Sequence, residues 1–158
     1  MSSVFIPDAA QVAQWLERAG YAHYVCEHCH GLHLADIQSR DGVLDARLFV
    51  EQEGLLLSTE LELRPSALLM VQADLARLNM LAPGLKVFID INDETVPRLV
   101  ACDLLMTGAG ITFEQFQHFL NVTLAATGDL LEDCRQTACL YDGEPGEEQQ
   151  VVPGPSLH

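Results

Sequence analysis

Two strand patterns meet in the stretch Val43-Leu-Asp-Ala-Arg-Leu-Phe-Val-Glu-Gln-Glu-Gly-Leu-Leu-Leu-Ser-Thr-Glu-Leu-Glu-Leu63. Apolar and polar side chains alternate along both halves, which is the period of a half-buried β-strand. In the second half, one face carries Leu57, Thr59, Leu61 and Leu63, and the other carries Ser58, Glu60 and Glu62. Gly54 provides the turn between the halves. The stretch therefore predicts an antiparallel hairpin.

The first half of this hairpin follows an Asp41-Gly42 turn. Its alternation places Val43, Asp45, Arg47, Phe49 and Glu51 together on one face. Because charged side chains are costly to bury, this face is expected to be partly wet.

The N-terminal part predicts a helix followed by a loose hairpin. Asp8 and Gln11 form a capping-box pattern at the start of the helix, and Gly20 is placed to end it. Residues 21–34 alternate more weakly, with Cys26-Glu-His-Cys29-His30 at the tip of the hairpin.

Two more helices are expected in the C-terminal half. Pro65 suits the first turn of an amphipathic helix that runs through about residue 80. Thr112 and Gln115 form a second capping box at the start of a long helix, in which Gly128 predicts a kink.

Between these helices lies another predicted hairpin, with strands at residues 85–91 and 99–106. Pro97 predicts that its second strand begins at a sheet edge or after a bulge, because proline cannot donate to a ladder.

Strands that occur in consecutive runs pair antiparallel and indicate an α+β fold. We therefore expect the order α-ββ(ββ)-α-ββ-α, with helices packed on one side of a twisted antiparallel sheet of five or six strands. The other side is left to solvent, a second subunit or a partner. Residues 1–140 should form a single domain, and residues 141–158 a flexible acidic tail.

The net charge of −15 comes from 23 acidic residues against 8 basic ones. Nucleic acids and anionic membranes bind surfaces rich in Lys and Arg, so neither is an expected partner. The N-terminus lacks signal-peptide features, and no apolar run approaches the roughly 18 residues of a membrane span, which predicts a cytoplasmic protein. In that compartment the 5 cysteines are expected to be reduced thiols.

A dense group of metal-ligand side chains lies at the tip of the first hairpin: Cys26, Cys29, His30 and His33, with His28 among them. Zinc prefers four Cys or His ligands in a tetrahedron, and Cys26, Cys29, His33 and one further histidine are the candidates. The usual second ligand pair at longer spacing is missing. Ordinary packed thiols are the favoured interpretation, so neither a metal nor a cofactor is predicted.

A redox function is weighed as well. A reactive cysteine is usually activated at a helix N-terminus, whereas Cys26 lies in a β-like region beside an acidic residue. The sequence also shows no glycine-flanked serine nucleophile and no phosphate-binding glycine loop, and we predict no catalytic residues.

Several short pieces resemble the YbjN family when they are taken in order. They are Trp15-Leu16, Cys26-x-x-Cys29 before Leu32-His-Leu34, Asp41-Gly-Val43, Arg64-Pro-Ser-Ala67, Lys86-Val-Phe-Ile-Asp90, and Thr112-Phe-Glu-Gln-Phe116. The resemblance covers roughly residues 5 to 125.

The resemblance implies a bacterial sensory-transduction regulator. AmyR-like members are associated with motility, exopolysaccharide and stress responses, and the fold is similar to that of class I type III secretion chaperones. These are small acidic dimers that hold extended segments of other proteins. We therefore expect a non-enzymatic, chaperone-like regulatory protein, a homodimer with protein partners; the alternative is a zinc- or redox-responsive sensor that uses Cys26 and Cys29.

Overall fold

The computed structural model describes residues 3–143. The helices are α1 (Ala9–Ala19), α2 (Ala35–Gln38), α3 (Leu68–Leu81) and α4 (Phe113–Gln136), and a 3-10 turn at Pro65–Ala67 precedes α3. The strands are β1 (His23–Val25), β2 (Leu32–Leu34), β3 (Val43–Val50), β4 (Gly54–Glu62), β5 (Lys86–Asp90) and β6 (Arg98–Met106).

All six strands form one antiparallel sheet in the order β1-β2-β3-β4-β6-β5. The three predicted hairpins are confirmed, as is the α+β class with the larger strand number. The pairing of β4 with β6 is a long-range contact that joins the two halves of the chain.

The helices cover one face of the sheet. Two buried apolar clusters fill the space between the helices and the sheet. One combines Leu61 and Leu99 with α3 and the end of α4. The other combines Leu48 and Leu57 with α1 and the start of α4. The alternate residues of the strands point away from the helices. We call that surface the helix-free face.

A β-bulge at Leu44 changes one predicted face. Val43 pairs with Leu61, but Asp45 already pairs with Glu60, so β3 carries one extra residue there. Val43 consequently packs against the core while Asp45 lies on the helix-free face. The expectation that these two residues share a face was wrong, because alternation predicts no bulge.

The helix ends follow the capping signals. Asp8 accepts a hydrogen bond from the Gln11 amide at 2.8 Å, and Gly20 ends α1 with φ at 82°. Thr112 and Gln115 form the predicted capping box. Helix α4 continues without a break through Gly128, where a kink had been expected.

Pro97 precedes an interior strand, since β6 lies between β4 and β5. The expectation of a sheet edge or a bulge was wrong: Pro97 lies outside the ladder, and its carbonyl accepts a hydrogen bond from Leu63 at 3.0 Å. Of the predicted acidic tail, residues 144–158 lie outside the described residues. Among residues 3–143, no helix is long and apolar enough to cross a membrane.

Candidate functional site

Three potential ligand atoms meet where the β1–β2 hairpin reaches the helix-free face. Cys26 Sγ lies 3.1 Å from Cys29 Sγ, and Cys29 Sγ lies 3.3 Å from His33 Nε2. Together the three atoms lie within 4.8 Å of one another. We call this group the thiol–imidazole cluster. Both cysteines are partly exposed, and the His33 side chain is buried.

Backbone pairing and packing hold the cluster against β3. His33 pairs with Tyr24 on β1 and with Arg47 on β3, and the Tyr24 ring stacks on the imidazole with centroids 4.5 Å apart. Gly31 allows this close approach, because a Cβ there would lie 3.0 Å from the Phe49 ring.

Asp45 orients the imidazole of His33. Its Oδ1 lies 2.9 Å from His33 Nδ1 and also accepts a hydrogen bond from the Ala46 amide at 2.9 Å. Desolvation lowers the pKa of His33, but the hydrogen bonds with Cys26 and Asp45 and their charges outweigh it and raise the pKa above its usual value. With Nδ1 directed at a carboxylate, Nε2 is left facing the thiols.

Cys26 is an activated thiol. Hydrogen bonds from Cys29, from His33 and from the His28 backbone lower its pKa to about 6. The sequence argument considered only a helix dipole as a cause of activation. Here, side-chain and backbone donors within the hairpin tip stabilise the thiolate.

A chain of charged side chains continues from the cluster across the helix-free face. Arg47 Nε lies 3.2 Å from Asp45 Oδ2 without hydrogen-bond geometry, and Arg47 donates to Glu60 at 2.8 Å. Arg98 donates to the other Glu60 oxygen at 2.8 Å and to Asp90 at 2.5 Å. The chain of contacts therefore crosses five neighbouring strands in the order β2, β3, β4, β6 and β5.

One end of the helix-free face, where β3 ends and β4 begins, is apolar. It carries Phe49, Leu56, Leu104 and Met106, which follow one another on β3, β4 and β6. Phe49 and Leu56 are half-buried, Leu104 is 39% exposed and Met106 is 77% exposed. We call this group the apolar end.

A family model for YbjN, described as "Putative bacterial sensory transduction regulator", matches residues 8–136. The chain belongs to the YbjN family.

Curated YbjN proteins of Escherichia coli K12 and Shigella flexneri, each described as uncharacterized, are 38% identical to it over 120 residues. That match spans 76% of this chain and 76% of each relative. A crystal structure of YbjN from E. coli, described as "a putative transcription regulator", superposes with a TM-score of 0.85 at 32% identity and covers 89% of this chain and 99% of that one.

In this YbjN-family fold the structure brings together three of the four predicted zinc-ligand candidates. Cys26, Cys29 and His33 converge, while His30 is exposed and does not belong to the group. Sequence reasoning missed Asp45 as the partner of His33. The charged residues Asp45 and Arg47 on one strand were a signal in the sequence. To connect them with His33, the β2–β3 register and the bulge had to be known.

Proposed function

We propose that this YbjN-family chain is a non-enzymatic, cytoplasmic regulatory protein that acts by binding another protein on its helix-free face. The supporting observation is the apolar end, where Leu104 and Met106 remain exposed on a sheet whose other face packs against the helices. Apolar residues that adjoin a polar, ion-paired region are typical of protein contact surfaces.

At the β5 edge of the sheet, binding across the face is favoured over strand addition. The Asn79 side chain accepts from the Val87 amide at 2.9 Å and donates to the Val87 carbonyl at 3.0 Å. These are outward-facing backbone groups of the edge strand β5, so part of this edge is already paired. A chaperone-like mode in which a segment lies on the helix-free face is therefore preferred to a strand added at β5.

The partner is expected to be an apolar segment with a neutral or basic surrounding. A net charge of −15 repels acidic proteins and nucleic acid and attracts basic surfaces. If the protein regulates transcription, as the description of its E. coli relative suggests, the effect would pass through a protein contact. A second copy of the chain is a further occupant, and we propose a homodimer in the absence of other partners.

Affinity purification from the host, with matched surface variants, tests this proposal. Leu104→Glu places a charge in the apolar end, whereas Leu69→Glu places the same charge on α3, where Leu69 is 78% exposed. Both positions are exposed enough to tolerate the change. The wild type and Leu69→Glu should capture the same protein in stoichiometric amounts, and Leu104→Glu should lose it. Capture that survives Leu104→Glu would contradict the proposal.

We further propose that the protein affects motility, exopolysaccharide production and stress responses, as the family resemblance implies. If the helix-free face regulates these processes, a deletion strain complemented with Leu104→Glu should retain the deletion phenotype, and one complemented with Leu69→Glu should regain the wild-type phenotype. Equal complementation by both variants would contradict the assignment of regulation to this face.

A further inference from the structure

The thiol–imidazole cluster presents the donor atoms that zinc prefers. Two sulfur atoms and one imidazole nitrogen, from Cys26, Cys29 and His33, lie within 4.8 Å of one another. Zinc binds such Cys2His sets through three protein ligands and keeps a fourth position for water.

The spacing of the donor atoms is close to that of a zinc complex. Two thiolates on one tetrahedral zinc are about 3.8 Å apart, and a thiolate and an imidazole nitrogen are about 3.5 Å apart, given Zn–S bonds of about 2.3 Å and Zn–N bonds of about 2.0 Å. The observed separations are 3.1 Å between the sulfurs and 3.3 Å between Cys29 Sγ and His33 Nε2. Both separations are shorter than those of a zinc complex, so binding requires the two partly exposed cysteines to move slightly apart.

The surroundings of His33 match those of a metal-binding histidine. In such residues the N–H of the other ring nitrogen donates a hydrogen bond to a carboxylate, a backbone carbonyl or water, which fixes the tautomer and raises the basicity of the ligand nitrogen. Here the carboxylate is Asp45, 2.9 Å from Nδ1 and itself held by the Ala46 amide. Nε2 is consequently oriented toward the sulfur atoms before any metal binds.

The charges also balance. Two thiolates neutralise one Zn²⁺, and the Asp45 carboxylate is paired with the neighbouring Arg47 at 3.2 Å. Binding displaces the protons that remain on Cys26 and Cys29 to solvent and requires no oxidant or reductant.

We propose that Cys26, Cys29 and His33 bind Zn²⁺, that Asp45 is the positioning residue for His33, and that water occupies the fourth position. His30 and His28 are exposed at the hairpin tip and are not ligands. The site rests on its own geometry and stands apart from the protein-contact proposal, because metal binding is measured on the purified chain alone.

Titration of the tag-free protein with Co²⁺ under a phosphine reductant, followed by displacement with Zn²⁺, tests the site. Tetrahedral cobalt gives visible ligand-field bands, and each thiolate adds near-ultraviolet charge-transfer intensity. The wild type should bind one equivalent with two thiolates and release it to Zn²⁺. Absence of these bands in the reduced protein would overturn the proposal, as would cobalt binding without thiolate charge transfer.

Matched variants assign the ligands. Cys26→Ser and His33→Gln should each weaken binding by more than the about 10- to 100-fold loss expected for Asp45→Asn, which removes only the outer partner. Cys102→Ser, a partly exposed thiol elsewhere on the helix-free face, and His30→Ala should leave affinity unchanged. Unchanged affinity in Cys26→Ser would contradict the site, and a loss in His30→Ala equal to that in His33→Gln would contradict the three-ligand assignment.

Discussion

Leu57 and Leu56 are neighbours on β4, but they belong to opposite faces of the sheet. Leu57 is 1% exposed within a cluster formed with α1 and α4, whereas Leu56 is only half-buried at the apolar end. The covered face carries the two buried apolar clusters, and the helix-free face combines a thiol–imidazole cluster, a chain of ion pairs and an apolar end. The same strands thus contribute to the buried core on one side and carry the candidate functional groups on the other.

Truncation of these two leucines should give the largest difference in stability between the two faces. Leu57→Ala should lower the free energy of unfolding by about 2–5 kcal/mol, because it leaves a cavity in the core. Leu56→Ala should cost about 1 kcal/mol or less, since its side chain is already partly in water. Urea denaturation of both variants measures the difference. Equal losses would mean that the helix-free face carries a core of its own.

The ion-pair chain gives the next largest effect. Glu60 accepts hydrogen bonds from both Arg47 and Arg98, and its side chain is 15% exposed. Glu60→Gln should therefore lower the free energy of unfolding by about 1–2 kcal/mol, because two partly buried guanidinium groups lose their shared anion.

Added salt should reduce that loss for Glu60→Gln, because it screens the pairs in the wild type. Glu51→Gln, at an exposed position beyond the end of β3, is the matched control and should be neutral. A loss in Glu51→Gln as large as in Glu60→Gln would point to general charge effects instead of the chain.

The rate of thiol alkylation should differ between Cys26 and Cys102. In the metal-free, reduced protein, Cys26 should react with iodoacetamide several-fold faster than Cys102, because a pKa of about 6 keeps Cys26 mostly ionised near neutrality while burial raises the pKa of Cys102. The rate at Cys26 should fall as the pH drops below about 6. Peptide mass spectrometry gives both rates, and equal rates would refute the activation of Cys26.

Much of the fold follows from local sequence rules. Alternation on β4, the Asp8 and Thr112 caps and the Asp41-Gly42 turn each predicted the element that the structure contains. These features depend on residues within one turn or one strand. The short helix α2 had no such signal, since Ala35–Gln38 is a single turn.

The candidate site was only partly predictable because it depends on pairing between strands. The Cys26-x-x-Cys29 spacing and His33 lie within eight residues, so they could be grouped from the sequence. Asp45 reaches His33 only through the β2–β3 register and the bulge at Leu44, which no local pattern predicts. The contact between β4 and β6, which assembles the apolar end, is likewise non-local.

Methionine oxidation footprinting tests most directly whether the helix-free face is the binding face. Met106 in the apolar end is 77% exposed and Met80 on α3 is 79% exposed, so the two side chains should oxidise at similar rates in the free protein. In the complex with its captured partner, Met106 should be protected and Met80 should remain reactive. Protection of Met80 with unchanged oxidation of Met106 would contradict the account.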